Sequence, residues 1–60
     1  MIYERIEALC KERGLSIRKL ENECGLSNGS IAKWRTVSPS AESLYKVAQY
    51  LKTTVEELIR

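Results

Sequence analysis

Leu15-Ser16-Ile17-Arg18-Lys19-Leu20-Glu21-Asn22-Glu23-Cys24-Gly25-Leu26-Ser27-Asn28-Gly29-Ser30-Ile31-Ala32-Lys33-Trp34 is the stretch on which the fold turns. Ser16 is a natural N-cap, and behind it Ile17, Leu20 and Cys24 recur at i, i+3 and i+7, the spacing of one helical face. Gly25 stops that helix after about two turns, and Ser27, three residues beyond Cys24, opens the next. A corner as tight as Gly25-Leu26-Ser27 forces the two helices into a bend. Around the second helix, at about 100° per residue, Ile31 and Trp34 take one side. Gly29, Ala32, Lys33 and Thr36 take the other, flanked by Asn28 and Ser30.

Upstream of this pair, residues 2–13 put Ile2, Ile6, Leu9 and Cys10 on one face and close at Gly14. Downstream, Ser38-Pro39-Ser40 is a loop, after which Ala41, Leu44, Tyr45, Ala48 and Leu51 mark the inner stripe of a fourth helix. Lys52-Thr53 links it to a fifth, where Thr54 and Glu57 form the S/T-x-x-E capping box and Val55, Leu58 and Ile59 face inward. The β-branched residues never alternate with polar ones over a strand's length. The expected fold is all-α, five helices in a single domain over 1–60.

Composition narrows the function. At 60 residues a chain buries only about 60% of the surface its unfolded form exposes, so one compact core is all it can build. Charged residues are 30% and hydrophobic ones 43%, and no apolar run exceeds three residues, so no membrane span or signal-peptide core is legible and a cytoplasmic protein is expected. The chain has no His and no Asp, which removes the usual proton shuttles. Cys10 and Cys24 lack a His to activate them, and two sulfurs alone do not close a zinc site. Both thiols read as reduced core hydrophobes. No catalysis, metal, cofactor or small-molecule substrate is therefore expected.

Net charge is +2, but residues 13–36 hold Arg13, Arg18, Lys19, Lys33 and Arg35 against Glu21 and Glu23. The positive field belongs to the helix pair and its flanks, either as a plain solvated face or as an anion-facing one. Helices four and five carry Glu42, and Glu56 with Glu57, in their first turns, as the helix dipole prefers. The pair departs from that habit: its first turns read Ile17-Arg18-Lys19 and Asn28-Gly29-Ser30, with no acid near the amide ends. Such ends suit an external anion, unless the serine caps suffice. The small polar face of helix three could enter a major groove, where Asn28 can pair with adenine and Lys33 with guanine. Gly29 would admit close backbone approach, or else merely relaxes a tight helix start.

The pattern Leu15-Ser16-x-x-x-Leu20-x-x-x-Cys24-Gly25-Leu26-Ser27-x-x-Ser30-Ile31-x-Lys33-Trp34 resembles the helix-turn-helix of the Cro/CI-type, XRE-like phage repressor family. Pro39-Ser40-x-x-x-Leu44-x-x-Val47-Ala48-x-x-Leu51-x-x-x-Val55-x-x-Leu58 is similar to the closing helices of that domain, so the likeness covers nearly the whole chain. The resemblance implies a lambda-repressor-like, five-helix domain whose third helix reads the major groove of double-stranded DNA while the second braces it. By position, Asn28, Gly29 and Lys33 fall where the family touches bases. Ser27, Ser30 and the start of helix two fall where it touches phosphate, and Arg18, Lys19 and Arg35 are the cations free to join them. It also implies a homodimer on a pseudo-palindromic operator.

Three positions depart from the family pattern. Ile17 replaces a frequent Gln, and either meets a thymine methyl or lies partly buried beside Leu20. Glu21 stands where a small residue packs at the helix crossing, so it must loosen the packing or find a basic partner. Arg35 replaces a common acid whose partner on helix one falls near Cys10, which frees Arg35 for phosphate. Trp34 is read as core, and Tyr50, off the inner stripe of helix four, as a candidate for self-association with the apolar end of helix five. The rival reading is a protein-interaction module, antitoxin-like or anti-repressor, on the same scaffold. A third is the N-terminal segment of a longer repressor.

Overall fold

The computed structural model describes residues 2–60. Its five helices are α1 (Ile2–Glu12), α2 (Ile17–Glu23), α3 (Ser30–Lys33), α4 (Ala41–Tyr50) and α5 (Val55–Ile59). α1 packs on α2 and α5, α4 packs on α2 and α5, and α3 rests on α2. None of the described helices is long and apolar enough to cross a membrane.

Local chemistry explains most helix ends. The Ser16, Ser40 and Thr54 side chains each accept the backbone N–H three residues on, from Lys19, Ser43 and Glu57. α1, α2 and α4 all close in one way, with a left-handed residue just past the last turn. Leu15 N–H donates to the Cys10 carbonyl, Leu26 N–H to Glu21 and Thr53 N–H to Ala48, at 2.8–2.9 Å. The left-handed residue is Gly14 in α1 and Gly25 in α2, but Lys52 in α4, at φ 57°. The corner after α2 is thus built by the Gly25 turn that the sequence announces.

The core draws Tyr3, Ile6 and Cys10 from α1, Leu20 from α2, Ile31 from α3, Leu44, Val47 and Ala48 from α4, Leu51 behind it and Leu58 from α5. Leu20, fully buried at the crossing of α2 with its neighbours, is worth about 1.5–3 kcal/mol of transfer free energy. Trp34, Ile17 and Leu26 pack against this core from its rim.

Several expectations need correction. Tyr45 is 57% exposed and Ile59 53% exposed, so neither belongs to an inner stripe. The buried stripe of α4 is Leu44, Val47 and Ala48, which turns Tyr45 outward. α5 is five residues long and buries Leu58, leaving Ile59 on its exposed side. Cys10 is buried, but Cys24 is only half-buried, its thiol 3.8 Å from the Lys46 carbonyl. The capping box of α5 is half made. Glu57 N–H donates to Thr54 Oγ1, while its carboxylate turns to Arg60 (2.8 Å) and Arg5 (3.5 Å).

Candidate nucleic-acid interface

α2 and α3, with the Gly25–Gly29 connection between them, form a helix-turn-helix. α3 is shorter than its sequence suggests. Its N-cap is Gly29, not Ser27, so Asn28 and Gly29 precede the helix and only Ser30 begins it. Ser27 has other business: Ser30 Oγ donates to the Ser27 carbonyl at 2.7 Å, and with its one hydrogen so used it accepts from Ser27 Oγ at 2.8 Å. The two hydroxyls tie the turn into a closed loop.

The reason for the late start lies in α2. Glu21 is 3% exposed, and its carboxylate accepts Gly29 N–H at Oε1 and Ile31 N–H at Oε2, both at 3.0 Å. Two charge-assisted bonds repay a buried carboxylate that would otherwise be costly. The expectation that the start of α3 lacks an acid is therefore overturned: the acid comes from the neighbouring helix. Glu21 does not loosen the crossing, and its partner is backbone rather than a basic side chain. Its place was legible in one respect, since residues 17, 20, 21 and 24 share the i, i+3, i+4, i+7 face. The start of α2 does lack an acid, and there Ser16 Oγ takes Lys19 N–H at 3.0 Å.

Gly29 sits at φ 86°, a conformation that costs most side-chain-bearing residues about 1–2 kcal/mol. A Cβ there would meet nothing within 4 Å, so the backbone alone calls for glycine. Asn28, Gly29, Ala32, Lys33 and Thr36 are exposed while Ile31 on the opposite side is fully buried. α3 and the turn before it thus present small side chains outward, from Asn28 in the turn to Lys33 at the end of the helix.

The cations divide. Arg18 and Lys33 are exposed, and Lys19 is exposed but 3.3 Å from Glu23. Arg35 lies over the ring of Tyr3, its guanidinium carbon 4.3 Å from the centroid. The α1 partner of Arg35 is therefore an aromatic face, not the position of Cys10. Arg13 leaves the field of the helix pair altogether, since it binds the Leu51 carbonyl at 3.0 Å at the far end of α4. The basic surface of the pair is smaller than the charge count of residues 13–36 implies.

A family model of the Cro/C1-type HTH DNA-binding domain matches residues 5–60. The chain belongs to that family, and it is a DNA-binding domain of the helix-turn-helix class. Searches of curated proteins and of solved structures found no match.

Proposed function

We propose that this protein is a sequence-specific, non-catalytic regulator of transcription, a repressor that binds a pseudo-palindromic operator as a homodimer. The observation that carries the reading is the exposed surface running from Asn28, just ahead of α3, to Lys33 at its end, backed by buried Ile31 and braced by α2 in a family member. In it Asn28 and Lys33 contact base edges, and Gly29 allows close approach. Arg18, Lys19 and Arg35 contact phosphate, and Ser27 and Ser30 do so by exchanging for it the hydroxyl bonds that close the turn. Gly29 offers DNA its missing side chain rather than its amide, which Glu21 already holds. Arg35 reaches phosphate only from its seat on Tyr3.

The dimer reading has its own support. A groove of about 400 Å³ between α1, the residues after α3 and α5 is lined by the apolar Ile2, Trp34, Val37 and Ile59 together with polar residues that include Arg35 and Arg60, and Val37 is 60% exposed. Tyr50 lines a separate groove beside Cys24 and Tyr45. A two-fold dimer of this class sets its recognition helices about one DNA turn, roughly 34 Å, apart.

Titrating a random duplex pool against salt tests the reading. A DNA regulator releases counterions, so log affinity falls with log salt by about 0.9 per phosphate neutralised. A protein-interaction module, antitoxin-like or anti-repressor, gives neither steep salt dependence nor retention on heparin.

A further inference from the structure

We infer that Glu21 is a positioning residue for base readout: from beneath the helix pair it aims Asn28 and sets the rotational phase of α3. The inference rests on the DNA-binding reading and adds to it a residue that touches no DNA.

The argument is one of peptide planes. The Gly29 N–H lies in the plane joining Asn28 to Gly29, so pinning it to Oε1 at 3.0 Å pins the ψ angle of Asn28. That angle decides where the Asn28 side chain leaves the backbone. The Ile31 N–H lies in the plane between Ser30 and Ile31, and its bond to Oε2 at 3.0 Å fixes the first turn of α3. The phase of that turn decides where Lys33, one turn later, points. Between the two planes the chain passes through the left-handed Gly29, the residue with the widest conformational freedom in the segment. Gly29 has no capping side chain of its own, and α3 is only four residues long, too short to hold its direction by its own hydrogen bonds. One carboxylate on a rigid neighbouring helix supplies what the local sequence lacks. Base readout tolerates displacements of only a fraction of an ångström, whereas a salt-dependent attraction to phosphate does not depend on such precision.

Glu21→Gln tests this. The amide keeps the size of the side chain but replaces one acceptor oxygen with a donor, so one of the two N–H groups loses its partner. The full chain is examined by thermal melting, by amide exchange and by binding to two duplexes, one carrying the sequence selected by the wild type and one scrambled. The variant is expected to fold, with exchange of the Gly29 or Ile31 amide faster by about tenfold or more. The ratio of selected to scrambled affinity is expected to fall by about tenfold, while affinity for the scrambled duplex stays within about twofold. In an Asn28→Ala background the same substitution should lower that ratio by clearly less, about threefold, because the Asn28 part of the effect is already gone and only the aim of Lys33 remains to be lost.

An unchanged ratio in Glu21→Gln overturns the inference, as does an equal fall in the Asn28→Ala background, which is what general loosening gives. If the Gln variant fails to fold, Glu21→Asp carries the same comparison, keeping both acceptors one methylene short. If the wild type itself prefers no sequence, the DNA reading fails and takes the positioning role with it. The exchange rates then separately report whether the carboxylate holds the two amides.

Discussion

Arg13 and Leu51 are tied across 38 residues of chain: Arg13 Nη2 donates to the Leu51 carbonyl at 3.0 Å, closing the last turn of α4 from the end of α1. A cation at a helix C-terminus meets the negative end of the dipole, and this one also donates to the Leu9 carbonyl at 3.3 Å. Arg13 is thus a structural cation. Arg13→Ala is expected to lower stability by about 1 kcal/mol, a discount from the full value of a charge-assisted bond because the side chain is partly exposed. The salt slope of DNA binding should not move. Arg18→Ala should do the reverse, leaving the melt alone and reducing the slope by about 0.9. Paired melts and salt titrations check both, and a reduced slope in Arg13→Ala would contradict the assignment.

Lys52 closes α4 in the same left-handed turn that Gly14 and Gly25 make for α1 and α2, at φ 57°. A lysine there carries backbone strain that a glycine does not. Lys52→Gly removes that strain, partly offset by the greater freedom of an unfolded glycine. A net gain of about 0.5–1 kcal/mol is expected from chemical denaturation, and a loss of stability would show that the Lys52 side chain contributes a contact outweighing its strain.

Burial raises both thiols above the ordinary cysteine value. At Cys10 desolvation outweighs the opposing pull of Arg13, and at Cys24 it outweighs that of Lys46. A thiol whose folded pKa is raised stabilises the fold fully below its unfolded value, and that contribution is lost as pH rises through the folded one. Stability should therefore decline on the alkaline side, less so in Cys10→Ala. Alkylation followed against pH should find Cys24 slower than free cysteine at neutral pH and Cys10 reactive only on unfolding. Rapid labelling of Cys10 in the folded protein would contradict its burial.

What the sequence made legible was what neighbours in the chain decide. The Ser16 and Thr54 caps, the closing turns at Gly14 and Gly25, and the buried stripe through Leu44 and Leu51 all follow from spacing and side-chain chemistry within a few residues. The family match over residues 5–60 agrees with that reading. What was not legible depends on partners far along the chain. The start of α3 moved from Ser27 to Gly29 because Glu21, eight residues back, holds the Gly29 amide. Arg35 settled on Tyr3 because α1 brings a ring beneath it, and Ile59 stayed 53% exposed because no element packs over it. Helical periodicity assigns a face but does not say whether anything covers it.

Selection of bound sequences from a random duplex library, run on the wild type and on Asn28→Ala, tests the central claim most directly. The wild type should enrich a two-fold symmetric motif with half-site centres about one helical turn apart. Asn28→Ala should lose preference at one base pair in each half-site, about 1–3 kcal/mol, while Lys19→Ala weakens all sequences alike. No enriched motif from the wild type, or the same motif undiminished from Asn28→Ala, would contradict the account.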